Sequence, residues 1–148
     1  MNKKEISIRE FKSDDLVFLS NLTNALGYPT TVEQMTKRME TVNQLRNYWT
    51  YVAVIDKNVI GYMGLNKNYF WEQDGSYIRI QALVVDEKYR RLGVGQKLTE
   101  FAEKLARRLN IKAIILNCGN REERQAAHLF YAKMGFVPKS TGYIKRLE

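Results

Sequence analysis

Apolar positions recur along this chain with two periods, and the switches between them mark its elements. At residues 5–10, Ile6 and Ile8 alternate with Ser7 and Arg9, which predicts a short first strand. Ser13-Asp14-Asp15 then offers an N-cap with acidic first-turn residues. Leu16, Leu19, Leu22 and Leu26 follow at helical spacing, and Gly27 stops that helix. Tyr28-Pro29-Thr30 breaks the chain, and Thr31-Val32-Glu33-Gln34 reads as a capping box opening a second helix to about Val42. Residues 48–56 and 59–66, rich in Tyr, Trp, Val and Ile and separated by Lys57-Asn58, predict an antiparallel hairpin.

Beyond the polar tip Trp71-Glu72-Gln73-Asp74-Gly75, a strand runs from Tyr77 to Val85. It alternates at first and then becomes continuously apolar over Ala82-Leu83-Val84-Val85, the mark of a strand entering from an exposed edge and ending deep in a covered sheet. Gly93 to Asn110 carries one apolar stripe, Val94, Leu98, Phe101, Ala102, Leu105 and Leu109, opposite the Glu100–Lys104 and Glu103–Arg107 pairs, and is the clearest helix. Residues 113–117 form a short buried strand, so that strand, helix and strand make a parallel βαβ unit. A last helix is expected from about Glu122 to Met134, with Phe136-Val137 and Tyr143-Ile144 as closing strands.

Composition narrows the class. The 148 residues fit one domain, 1–148, with neither linker nor repeat. One cysteine, Cys118, makes no intramolecular disulfide, and one histidine, His128, leaves too few ligands for zinc, so no metal is expected. The N-terminus lacks a signal-peptide apolar region, and no stretch reaches the ~20 apolar residues of a membrane span. A soluble, cytoplasmic protein without membrane contact is expected. The net charge of +8 asks for an anionic partner, whether nucleic acid, lipid headgroup or phosphorylated cofactor. No helix-turn-helix, zinc-finger or RNA-recognition signature supports a basic nucleic-acid-binding module, so nucleic acid is disfavoured.

One segment carries candidate chemistry. Residues 86–96 run from the end of a strand into the first turn of a helix, where free N–H groups and the positive end of the helix dipole favour an anion. Gly93 and Gly95 clear space for a phosphate, and Lys88, Arg90 and Arg91 stand near. The dinucleotide fingerprint fails because Leu98 occupies its third small position, and the P-loop fails at Gly95-Gln96-Lys97-Leu98. Two glycines alone read equally well as a tight turn.

With Phe130-Tyr131-Ala132-Lys133-Met134-Gly135-Phe136 downstream, the pattern becomes specific. Arg90-Arg91-Leu92-Gly93-Val94-Gly95 resembles the [RQ]-x-x-G-x-[GA] acyl-CoA motif of the GNAT superfamily of acetyl-CoA-dependent N-acetyltransferases, and the later segment resembles its F-Y-x-x-x-G-F motif. The resemblance implies an α/β (α+β) fold with a single mixed, mostly antiparallel sheet and helices on both faces. It implies acetyl-CoA as cosubstrate, transfer to a primary amine by direct attack in a ternary complex, backbone contacts to pantetheine from Leu83, Val84 and Val85, and a pyrophosphate cradle over Arg90, Arg91, Leu92, Gly93, Val94, Gly95 and Gln96. Tyr131 matches the tyrosine that protonates the departing thiolate. A fold that binds acyl-CoA as a sensor without turnover is the alternative.

The chain departs from the family at Gln81, where many members carry a glutamate base, and at Arg124, where an asparagine is common. A water relay, Glu33, Glu72, Asp74 or the substrate's own pKa must then free the amine. Tyr28, Tyr48, Trp49, Tyr69, Trp71, Glu72 and Asp74 are candidates for an aromatic, acidic acceptor wall suited to a small cationic amine. His128 reads as a packing or surface residue and Cys118 as a small buried one. Edge-strand pairing leaves room for a homodimer.

Overall fold

The computed structural model describes residues 5–118 and 124–147. The chain divides into two compact units, Met1–Ile115 and Leu116–Glu148. In the first, β1 (Ile6–Glu10), β2 (Tyr48–Ile55), β3 (Asn58–Tyr69), β4 (Ser76–Val85) and β5 (Ile114–Leu116) form one sheet in sequence order, β5 closing it at the unit boundary. Neighbours β1 to β4 are antiparallel, whereas β5 runs parallel to β4 and begins where the Ile78 amide donates to the Ala113 carbonyl. The mixed, mostly antiparallel sheet with a βαβ unit is therefore present.

Helices cover both faces. Val52, Tyr62 and Val84 pair across three strands and pack with Leu19 and Leu22 of α1 (Leu16–Leu26) and Met35 and Met39 of α2 (Val32–Asn43). Tyr51, one residue along β2, points the other way and meets Phe101 of α3 (Val94–Arg108), ring centroids 4.6 Å apart. Gly61 lies on that second face, where a Cβ would fall 2.9 Å from the Val84 carbonyl and 3.3 Å from Val94 Cγ1. Only a residue without a side chain lets α3 lie this close.

Most boundaries follow the pattern, and the ends show why. Gly27 adopts φ 108°, with the Tyr28 amide reaching back to the Thr23 carbonyl and the Gly27 amide to Asn24. Asn110, at φ 60°, closes α3 in the same way. Thr31 caps α2 through the Gln34 amide, and Gln34 returns a bond to the Thr31 amide. At α1 the expected Ser13 cap is replaced: Ser13–Asp15 is a 3-10 turn, and buried Asp15 accepts the Lys12 amide at 2.8 Å and both guanidinium nitrogens of Arg9 at 2.8 and 2.9 Å. This pair ties the start of α1 to β1.

Three expectations change. The hairpin turn falls at Asp56-Lys57 rather than Lys57-Asn58, because Asp56 takes the left-handed φ of 55°. The second half of β4 is less covered than its apolar run implies: Val84 is buried, but Ala82, Leu83 and Val85 are only half-buried. In the second unit, α4 (Gln125–Lys133) ends at Gly135, while residues 134–147 contain no strand. The expected closing strands at Phe136-Val137 and Tyr143-Ile144 are absent, with Val137, Tyr143 and Ile144 exposed. An apolar pair supplies one inward side chain, and Pro138 brings no backbone donor, so the pattern there does not carry a ladder by itself. The expected start of the last helix at Glu122 lies outside the described residues.

Candidate active site

Two features of the first unit converge on the C-terminal end of β4. The first is its free edge. Gly64 pairs with Ala82 but Leu65 pairs with Ile80, so Gln81 is the extra residue of a β-bulge. Past the bulge, the Asp86 amide donates to the Ile60 carbonyl at 2.8 Å, which makes that pair hydrogen-bonded. Antiparallel alternation then turns the Val84 backbone toward Tyr62 and leaves the N–H and C=O of Leu83 and Val85 directed away from β3. Before the bulge it is the even residue Ile78 whose amide points that way. The bulge thus shifts the phase by one residue. β5 has three residues and starts beside Ile78, so no strand among the described residues covers the edge at Leu83 and Val85.

The second feature is the turn into α3. Asp86 caps a 3-10 turn, Glu87–Tyr89, by accepting the Lys88 amide at 3.0 Å. Arg91 and Gly93 then take left-handed φ values of 70° and 81°. Val94 opens α3 with no side-chain cap and no acidic residue in the first turn, and the first amide to find a helical acceptor is that of Lys97, on the Gly93 carbonyl. The amides from Arg91 to Gln96 therefore meet no acceptor among the described residues. Lys88, Arg90 and Arg91 are exposed around them, and Arg90 makes only a loose 3.6 Å contact to Glu87. A Cβ on Gly93 would touch nothing within 4 Å, so the space beside Gly93 is open. Unpaired donors, a helix dipole and exposed cations suit a phosphorylated ligand. A cavity of about 370 Å³ on the α1 side of the same turn is lined by Phe18, Leu22, Val59, Asp86 and Tyr89.

In the second unit the aromatic motif has a local explanation. Gly135, at φ 93°, sits just past α4; the Phe136 amide returns to the Tyr131 carbonyl at 2.9 Å and the Gly135 amide to Ala132 at 3.0 Å. In this C-terminal motif the residue after the glycine packs on the turn below, and the Tyr131 ring makes edge contacts with those of Phe130 and Phe136, centroids 5.4 and 5.8 Å away. Burial pushes the Tyr131 phenol above its ordinary pKa, charge on Cys118 pushes the same way, and Arg124 opposes. The phenol therefore keeps its proton across neutral pH. His128 is exposed on the helix, and Cys118 is half-buried with a free thiol.

Other candidates are scattered. Tyr28, Tyr69 and Trp71 are exposed, Trp71 fully, and Glu72 and Asp74 lie with Trp71 on the β3–β4 tip. Trp49 pairs with Leu65 on the α3 face, whereas Tyr48 pairs with Asn66 on the other. These residues do not form one wall. No cluster of three or more metal-ligating side chains occurs among the described residues, and no described helix is long and apolar enough to cross a membrane. The bulge at Gln81 has no signature in the hydropathy of β4.

Comparison with known proteins agrees with this architecture. A GNAT family acetyltransferase from Staphylococcus aureus is 32% identical, with 96% of this chain and 98% of that one covered at a TM-score of 0.81. Glucosamine-6-phosphate N-acetyltransferase from Arabidopsis thaliana, 20% identical, shares the fold over 98% of this chain and all of that one (100%) at 0.80. An aminoglycoside N-acetyltransferase in complex with CoA, 15% identical, does so over 99% and 97% at 0.83. Residues 19–136 match the sequence model of the Acetyltransferase (GNAT) family, spanning both the turn into α3 and the aromatic motif of α4, and the chain belongs to that family.

Proposed function

We propose that the whole chain, 1–148, is one N-acetyltransferase domain that transfers an acetyl group from acetyl-CoA to a primary amine by direct attack in a ternary complex. The observation carrying this reading is the run of unpaired amides from Arg91 to Gln96, with Gly93 open above them, one strand-end away from the uncovered edge of Leu83 and Val85. Acetyl-CoA supplies an acyl thioester on a pantetheine arm, with a pyrophosphate at the other end.

The chain's residues divide the work. Amides of Arg91, Leu92, Gly93, Val94, Gly95 and Gln96, with the guanidinium of Arg90, bind the pyrophosphate. Leu83 and Val85 offer strand-like hydrogen bonds to the pantetheine, and Val84 spaces them while its own backbone holds β3. Fixed amides at this edge stabilise negative charge developing on the thioester oxygen without reorganising. Tyr131 holds a proton on Oη for the departing sulfur. Gln81, exposed at the bulge, cannot accept a proton, so the amine arrives neutral or passes its proton to water. That same residue favours a second reading, a fold that binds acyl-CoA without turning it over.

Isothermal titration with acetyl-CoA, CoA and NAD tests the reading. One site per chain for the CoA compounds and none for NAD is expected, and absence of CoA binding refutes it. Release of CoA thiol in the presence of amines separates the enzyme from the sensor.

A further inference from the structure

The acceptor side of β4 has a chemical character of its own. The residues on the α1/α2 face can be read row by row outward from the helices. Val52, Tyr62 and Val84 lie beneath α1 and α2; the next row is Thr50, Gly64 and Ala82; the next is Tyr48, Asn66 and Arg79; then come Asn68 and Tyr77. The second row is made of small residues. A Cβ on Gly64 would meet only Ala82, at 3.6 Å from its Cβ and 4.0 Å from its nitrogen, so no helix lies close over it. The result is a depression beside the bulge. On the opposite face Leu65, Ile78 and Ile80 are buried. A polar acceptor therefore has one face from which to approach the edge of β4.

The rim of that depression is cationic. Arg79 is half-buried and makes no ion pair or hydrogen bond among the described residues. A guanidinium partly removed from water without a carboxylate is poised for an anion. Beside it Asn66 is 4% exposed, and its side-chain Oδ1 accepts from the side-chain Nδ2 of Asn68 at 3.0 Å. This leaves the Asn66 amide hydrogens as further donors. About 10 Å of strand separates Arg79 from Ala82. The acidic residues Glu72 and Asp74 stand out on the tip, off this floor.

We infer that the acceptor is a small primary amine carrying an anionic group, whose amine enters the depression over Gly64 and Ala82 while Arg79, with Asn66, holds the anion. This rests on the acetyl-transfer reading, and it reverses the cationic preference expected from the scattered aromatic and acidic residues. Arg79 is here a specificity-determining residue.

Matched acceptors test it: β-alanine against propylamine, phosphoethanolamine against ethanolamine, and putrescine as the cationic case, each followed by CoA release. The anionic member of each pair is expected to show the higher kcat/KM. Arg79→Gln should lower that value about 10- to 100-fold, while propylamine and ethanolamine change little. Arg79→Lys should restore part of it, and Asn68→Asp, which adds a competing carboxylate, should act in the same direction as Arg79→Gln. Titration of phosphoethanolamine and β-alanine into the CoA-saturated protein gives a second readout, with binding lost in Arg79→Gln. Putrescine preferred, with Arg79→Gln indifferent, overturns the inference and leaves acetyl transfer standing, as does the absence of anionic-amine binding to CoA-loaded protein. Failure to bind acetyl-CoA at all overturns both.

Discussion

Replacement of Gly93 by leucine separates two consequences of one position. The residue holds φ 81°, in the left-handed region, where a Cβ approaches the following carbonyl. The strain costs about 1–2 kcal/mol, which in a domain of this size lowers Tm by about 2–8 °C. The Cβ itself adds no steric penalty, because it meets nothing within 4 Å. The variant should therefore fold, with its side chain lying over the unpaired amides. A hydrogen bond to a charged group contributes about 1.5–3 kcal/mol, so denying two of them to the pyrophosphate raises Kd at least ~100-fold. Calorimetry reads the first effect and titration with acetyl-CoA the second. Gly93→Asn, which tolerates the left-handed conformation, should keep most of the Tm while still weakening binding. A folded leucine variant that binds acetyl-CoA as tightly as the parent refutes the cradle, and an unchanged Tm refutes the strain argument.

Tyr131→Phe should lower kcat by about 100-fold or more, the range of a positioned general acid, with a much smaller change in KM; an unchanged kcat removes the acid role. Asp15 titrates in the opposite sense to Tyr131. Burial alone would raise its carboxyl, but hydrogen bonds from Arg9 and the Lys12 amide hold it below the ordinary 3.8. A carboxyl depressed in the folded state contributes stability that is complete above about pH 5 and is lost as pH falls through and below about 4. Asp15→Asn should cost about 1.5–3 kcal/mol at neutral pH in urea denaturation. The gap to the parent should close below about pH 4, and a gap independent of pH would show that the carboxylate charge is not its source.

Local signals account for what was legible. Gly27 and Asn110 end helices through left-handed turns, and Thr31 caps one, because each operates within a single turn of chain. Both named motifs also have local causes: Gly93 starts a helix and Gly135 stops one. The Ser13 cap failed although its cause is near in the chain: Asp15 takes both Arg9, six residues back on β1, and the Lys12 amide, and a capping pattern read at Ser13 does not weigh that ion pair. The scattering of Trp49, Trp71 and Tyr28 is likewise decided by which face or tip each strand and loop presents.

The sequence by itself determined the order of elements from β1 to α4, the position of the glycine turn into α3 and the family, because periodicity, caps and glycine turns are properties of neighbouring residues. Only the tertiary structure decided that Gln81 is a bulge, since a bulge exists in the count of one strand against another. That extra residue turns the amides of Leu83 and Val85, rather than their neighbours, toward the open edge. Pairing across β2, β3 and β4 likewise decided that Gly64 and Ala82 make a floor and that Arg79 stands beside it, residues whose proximity is set by strand register and not by spacing along the chain.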